Sequence, residues 1–133
     1  MRLLLVAALL LSGAVPAAGH HSFAGVDRSK RVTLTGVVKE FQWNNPHAWI
    51  QILVTDDKGR QTEWSAECGS PNMMARTGWQ RGTLKPGDRV VAVVNPLKDG
   101  RPNGSLVTIT LADGRVLGPG DAPAPRPIPT SRR

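Results

Sequence analysis

The chain has 133 residues, a formal charge of +7, a single cysteine and no tyrosine. One cysteine excludes an internal disulfide, and this length allows one small domain rather than several. Seventeen basic against ten acidic residues suit a chain that meets anionic polymers, phosphate-bearing headgroups or acidic partners, but no basic run is dense enough to mark a nucleic-acid site.

Arg2 precedes an unbroken apolar run, Leu3 to Leu11, and then the small-residue stretch Ala14-Val15-Pro16-Ala17-Ala18-Gly19. A positive start, a short apolar middle and small residues before a cut make a secretory leader. Residues 1–19 are therefore expected to be a signal peptide, and the product periplasmic or secreted. The apolar run is far short of the roughly 20 residues that cross a bilayer, and no other run approaches it, so the mature chain is expected to lack a transmembrane segment.

Signal peptidase cutting after Gly19 leaves His20 first, whereas cutting after Ala17 leaves Ala18-Gly19-His20. In the first case the amine and imidazole of His20 chelate together, with a third nitrogen from His21 or His47. In the second, amine, two backbone amides and imidazole surround one metal in a plane. Cu(II) prefers such tetragonal nitrogen sets, which makes His20, His21 and His47 the candidate metal ligands and copper the candidate cofactor. The plain alternative is an incidental histidine pair near a loose terminus. Zinc fits less well, since a structural zinc site takes four ligands.

Arg31 to Trp43 alternates Val32, Leu34, Gly36 and Val38 against Thr33, Thr35, Val37 and Lys39, the period of a strand. Gly36 in its middle predicts the bend or bulge that a small barrel needs. Asn44-Asn45-Pro46 is a turn. His47 to Thr55 sets Ile50, Ile52 and Val54 on one face, with Trp49, Gln51 and Leu53 on the other. Asp56-Asp57-Lys58-Gly59 closes a hairpin, and Arg60 to Cys68 turns Thr62, Trp64 and Ala66 inward. Val32, Leu34, Ile50, Ile52, Val54, Trp64 and Ala66 are expected to be buried together, and Lys39, Gln61, Glu63 and Glu67 to be exposed. Cys68, on the inward parity, is expected to be a buried, inert thiol; intermolecular pairing is the alternative.

Ser70 is a good N-cap, Pro71 suits a first helical position and Gly78 a C′ position, so one short helix is expected. Met73, Met74 and Trp79 are expected to plug the barrel. Arg89 to Asn95 and Ser105 to Leu111 form two further strands, separated by a loop from Pro96 to Gly104. In the last of these strands Val107, Ile109 and Leu111 oppose Thr108 and Thr110. Arg115 to Leu117 is a short extra strand. Gly118 to Arg133 is proline-rich and aperiodic, so residues 118–133 are expected to be a disordered tail and residues 20–117 the folded domain. Three strands, a helix and two strands give a mainly β protein: an OB-like, five- to six-stranded Greek-key barrel with one short helix between strands three and four. A β-sandwich has the same element list.

The stretches HHSFAGVD, VTLTGVVKEFQWNNPHAWIQILV, EWSAECGSPNMMARTGW, TLKPGDRVV and NPLKDG resemble a family of small exported bacterial proteins of uncharacterised function. Its members carry a signal peptide followed at once by His-His-Ser-Phe and a small β-barrel. The resemblance spans nearly all of 20–117. It implies export and the barrel, and it carries over neither catalytic residues nor a ligand. Many relatives have a basic or histidine residue near Asn95-Pro96, where this chain has Asn95.

Loops between strands one and two and between strands four and five flank the binding face of OB-folds. Here they offer Trp43, Asn44, Asn45 and His47, with Trp49 beyond, and then Lys98 and Arg101. Aromatics beside amides and cations suit a glycan, a lipid headgroup or a partner protein; export argues against nucleic acid. The structural alternative is that the tryptophans close the barrel and the asparagines cap a turn. Enzyme readings are weak. Glu63 and Glu67 lie about 13 Å apart along a strand, too far for paired glycosidase carboxylates. The serines lack a nucleophile-elbow context, and His47 with Cys68 makes a thiol–imidazole pair only if folding joins them. The expected function is a non-enzymatic exported binding module, holding Cu(II) at its processed N-terminus or an envelope ligand on its loop face.

Overall fold

The computed structural model describes residues 25–120. The leader, His20, His21 and the tail beyond Gly120 lie outside these residues. Six strands and a helix follow one another: β1 Val32–Gln42, β2 Trp49–Thr55, β3 Gln61–Glu67, α1 Pro71–Arg76, β4 Arg89–Pro96, β5 Asn103–Thr110 and β6 Val116–Leu117. The sheet order is β3-β2-β1-β4-β5-β6, and a further β3–β5 pairing closes the first five strands into a barrel. This is the Greek-key OB arrangement expected from the element order. The closing pair is parallel and joins Ser65, Ala66 and Glu67 to Asn103, Gly104 and Ser105.

β1 is shared. Its first half, Val32 to Val37, pairs with β4, and Gly36 to Gln42 pairs with β2. The changeover falls at Gly36, where any Cβ would collide with the Leu53 carbonyl oxygen and the Ile52 side chain. Glycine is what lets β1 and β2 approach as the sheet coils. A register shift between Val38 and Glu40 adds one residue at Lys39, so that both Val38 and Phe41 turn toward the core. Leu34, Val38, Ile50, Ile52, Ala66, Val90, Ala92, Val94, Leu106 and Ile109 are buried together.

Val32, Val54 and Trp64, expected within the core, are half-buried and pack against it, and three further inward assignments and one outward one differ from the sequence expectation. A second register shift, between Val93 and Val94 on β4, leaves Val107 as the extra residue of β5 and makes Leu106, not Val107, the fully buried partner of Ile109. Thr62 is exposed, because β3 has a barrel neighbour on its far side only from Ser65 onward. Met73 is 44% exposed, since the short helix presents only its Met74 side to the core. Glu67, expected at the surface, is 4% exposed, and its covering defines the site below.

Ser70 caps α1 by accepting a hydrogen bond from the Met73 amide, Pro71 fills its first turn, and Gly78 follows with φ 97°. Met74 on the inner side of the helix and Trp79 just beyond its end are fully buried. Phe41 links Trp79 to Trp43, with ring centroids 5.6 Å apart in each pair. Trp79 Nε1 donates to the Gly118 carbonyl at 2.9 Å, and the Gly69 amide donates to the Pro119 carbonyl at 2.7 Å. Gly120 lies so close to Met74 that no side chain fits there. Packing thus continues past Leu117 through Gly120.

Three turns repeat one device. Asp56, Asp99 and Asp113 each accept from the backbone amide and the Nε of an arginine just beyond, namely Arg60, Arg101 and Arg115. A positive-φ glycine precedes each arginine: Gly59, Gly100 and Gly114. Side-chain carboxylates that mimic a backbone turn favour this geometry.

Candidate functional site

The segment between β1 and β2 is anchored at Ala48, which is fully buried. Its amide donates to the Gly69 carbonyl at 3.0 Å and its carbonyl accepts from the Cys68 amide at 2.9 Å. With Ala48 pointing inward, strand alternation sends His47 and Trp49 to the outer side. There Trp49 stands opposite Glu67 across the β2–β3 ladder, Glu67 opposite Ser105 across the closing pair, and Ser105 opposite Asn95.

His47 Nδ1 lies 2.5 Å from Glu67 Oε1; the histidine side chain is 28% exposed and the glutamate side chain 4%. A carboxylate offers only lone pairs, so in the neutral ring this bond assigns the hydrogen to Nδ1 and the lone pair to Nε2. The ring is fixed in direction by a buried acceptor. One step down the same face, Ser65 Oγ donates to Gln51 Oε1 at 2.5 Å, and Asn103 stands beside Ser65 in register.

The chain before β1 is stitched to the same region. Asp27 N donates to the Pro96 carbonyl, Lys98 N donates to the Gly25 carbonyl, each at 2.8 Å, and Val26 bridges Leu97. Asn95 is buried beneath this segment and its Nδ2 donates to the Lys30 carbonyl at 2.7 Å and the Arg28 carbonyl at 3.4 Å. Asn95 is thus a strap between β4 and residues 28–30.

The sequence candidates separate. His47 and Trp49 meet at Glu67. Asn44 and Asn45 are exposed on the turn, which contains a cis Asn45–Pro46 bond. Trp43 is half-buried and packs on Phe41 against the core. Lys98 and Arg101 are exposed on the β4–β5 loop, where Arg101 is paired with Asp99 at 2.8 Å. The backbone amide of Arg101, followed by its side chain, holds the Asp99 carboxyl below its ordinary range. His20 and His21 lie outside the described residues. Among the described residues no group of three or more histidine, cysteine, aspartate or glutamate side chains is arranged to hold a metal ion.

Cys68 is buried, and its thiol contacts the Ala66 carbonyl at 3.8 Å. Burial, reinforced by the neighbouring Glu67 charge, pushes the thiol far above its ordinary range. It is inert by the usual rule that the thiolate is the reactive form, and the imidazole pairs with Glu67 instead.

Residues 7–106 match DUF6152, a family of unknown function. The chain belongs to this family. The DUF6152 match takes in β1 to β4, the helix, the closing segment of β3 and the first residues of β5, so the His47–Glu67 pair and its strand partners fall inside it. A search of curated proteins and a search of solved structures return no match. Among the described residues no helix is long and apolar enough to cross a membrane.

Sequence reasoning missed Glu67, Asn95 and the Ser65–Gln51 pair. The hairpin turn held the signal for Glu67. With Thr55 opposite Gln61, the register runs back without interruption and sets Glu67 beside Trp49, two residues from His47.

Proposed function

We propose that the protein is an exported, non-enzymatic binding module that holds Cu(II) between its processed N-terminus and His47. The observation that carries this reading is the buried Glu67 carboxylate on His47 Nδ1. Metal-bound histidines usually donate their second ring nitrogen to a carboxylate or carbonyl, which fixes the tautomer and raises ligand basicity. Glu67 is then a positioning residue, and Nε2 of His47 is the ligand atom.

Chain reach supports the same reading. From residues 25–27 to Glu67 there are three interstrand steps, through β4, β5 and β3, or about 14 Å. Gly25 and His20 are five positions apart, a span of up to about 17 Å. The amine and imidazole of a terminal His20 can therefore reach the rim that carries His47.

Copper titration with an electron-paramagnetic-resonance readout tests it. Processed protein is expected to bind one Cu(II) far more tightly than the same protein bearing one extra N-terminal residue, which removes the amine–imidazole chelate. Glu67→Gln is expected to weaken binding by about 10–100-fold, and His47→Ala to weaken it and change the nitrogen hyperfine pattern. Equal affinity in processed and extended protein overturns the reading.

A second reading rests on Trp49. It lies beside Gln51, Ser65 and Asn103 on the outer face, an arrangement suited to a glycan or a headgroup stacked on an indole. Trp49→Ala abolishing glycan binding, with copper affinity unchanged, is the result that favours it.

A further inference from the structure

Away from His47, outward parity builds a second surface. Val37 stands opposite Leu53 on β2 and Arg89 on β4; Thr35 stands opposite Val91, which faces Thr110 on β5. These side chains line a groove of about 370 Å³ above the bend at Gly36. Val37 and Val91 are 37% and 38% exposed, two of the three large hydrophobic side chains that stand exposed among the described residues. Leu53, Val37 and Val91 are direct or diagonal neighbours, so the apolar patch is continuous.

Arg89 is the one ionisable residue in the lining of this groove. Its guanidinium makes no ion pair or side-chain hydrogen bond among the described residues. The acids around it are engaged elsewhere: Asp88 accepts from the Lys85 amide and Asp113 is paired with Arg115. Asp88, Asp113 and Arg115 line an adjoining recess of about 200 Å³ that also contains Arg89. The cation therefore stands where the apolar groove meets a polar mouth, in no ion pair among the described residues.

We propose that this groove binds a monomeric, single-chain amphiphile of the fatty-acid type. Leu53, Val37 and Val91 take the acyl chain and Arg89 takes the carboxylate. The volume lies at the low end of small-molecule sites, which suits one chain rather than a two-chain lipid. The charge decides the head group, because a guanidinium fork matches a carboxylate in geometry as well as sign. The surface shares no residue with the His47–Glu67 pair, so the proposal is independent of the copper reading.

The test is an amide-shift titration of the full chain with laurate below its micellar concentration, with dodecanol and butyrate as comparison ligands. Saturable shifts are expected at Val37, Leu53, Val91 and Thr110, with none from butyrate. Arg89→Ala is expected to weaken laurate by about fivefold, as for an accessible ion pair, while leaving dodecanol unchanged. Val91→Asp is expected to remove both ligands. Val37→Ser, at the other exposed valine, is expected to do the same and stands in if Val91→Asp fails to fold. Absent or scattered shifts, equal losses of laurate and dodecanol in Arg89→Ala, or binding to anionic vesicles without binding to laurate overturns the proposal.

Discussion

The aromatic plug under α1 and the polar rim at His47 are built from the same stretches of chain, yet different forces hold them. Trp43 and His47 flank one turn; the first packs inward on Phe41, which in turn meets Trp79, and the second pairs outward with Glu67. The plug rests on buried apolar area, which is non-directional and roughly proportional to the surface removed from water. The rim rests on a short imidazole–carboxylate hydrogen bond and on amides satisfied one by one, where a missing partner leaves a buried group stranded. The plug is therefore expected to respond to volume and the rim to chemistry.

The largest effect expected from this contrast is Trp79→Ala. It removes a fully buried indole and the bond to Gly118, and should lower unfolding free energy by about 3–5 kcal/mol in a urea titration. Trp79→Phe should recover most of that, which is the mark of volume. A loss below about 1 kcal/mol would show that the plug is not part of the core.

His47→Ala comes next, at about 2 kcal/mol, because it strands the Glu67 carboxylate. The double replacement His47→Ala with Glu67→Ala should cost clearly less than the two single losses added together. Strict additivity would mean that the pair is not a unit, and the comparison would fail on the rim side.

Truncation sharpens the plug side. A chain ending at Leu117 should be less stable than one ending at Gly120 by about 1–3 kcal/mol, the worth of the bonds from Trp79 to Gly118 and from Gly69 to Pro119. Equal melting curves for the two would show that residues 118–120 are passengers.

The smallest effect concerns acid. Asp56, Asp99 and Asp113 are held below their ordinary carboxyl range, first by the backbone amides of Arg60, Arg101 and Arg115 and then by the side chains of those arginines. A depressed carboxyl stabilises the fold above its unfolded pKa, and that contribution fades as pH falls through the lower folded value. Stability should be flat from neutrality down to about pH 4 and sag gently below it. Because these turns are exposed, Asp99→Asn and Asp113→Asn should flatten the sag without moving the neutral melting temperature much.

Much of the fold was legible because strand alternation, the Ser70 cap, Gly36 and the order of elements are local signals. Inward assignments failed where a barrel does something nonlocal. The extra residue at Val107 depends on how β5 meets β4, and the exposure of Thr62 depends on where β3 acquires its second neighbour. The site was half legible. His47 and Trp49 stand out by type, but Glu67 looks in the sequence like one more solvated carboxylate, because burial by a residue 20 positions away leaves no mark on its own neighbourhood. Asn95 was hidden likewise, since its partners are the carbonyls of Arg28 and Lys30, which any sequence would provide.

The parallel seam between β3 and β5 has one more consequence. It is three residues long on each strand, shorter than the other ladders that close the barrel, and Glu67 is its last residue. Short ladders are where native proteins open first, by local excursions that amide hydrogen exchange detects. A ligand that ties His47 on the β2 side to the segment stitched onto β4 would span that seam as a clasp spans a cuff. Occupancy would then be written in the exchange rates of the backbone around Ser65 and Asn103, slowing protons that the ligand itself never touches.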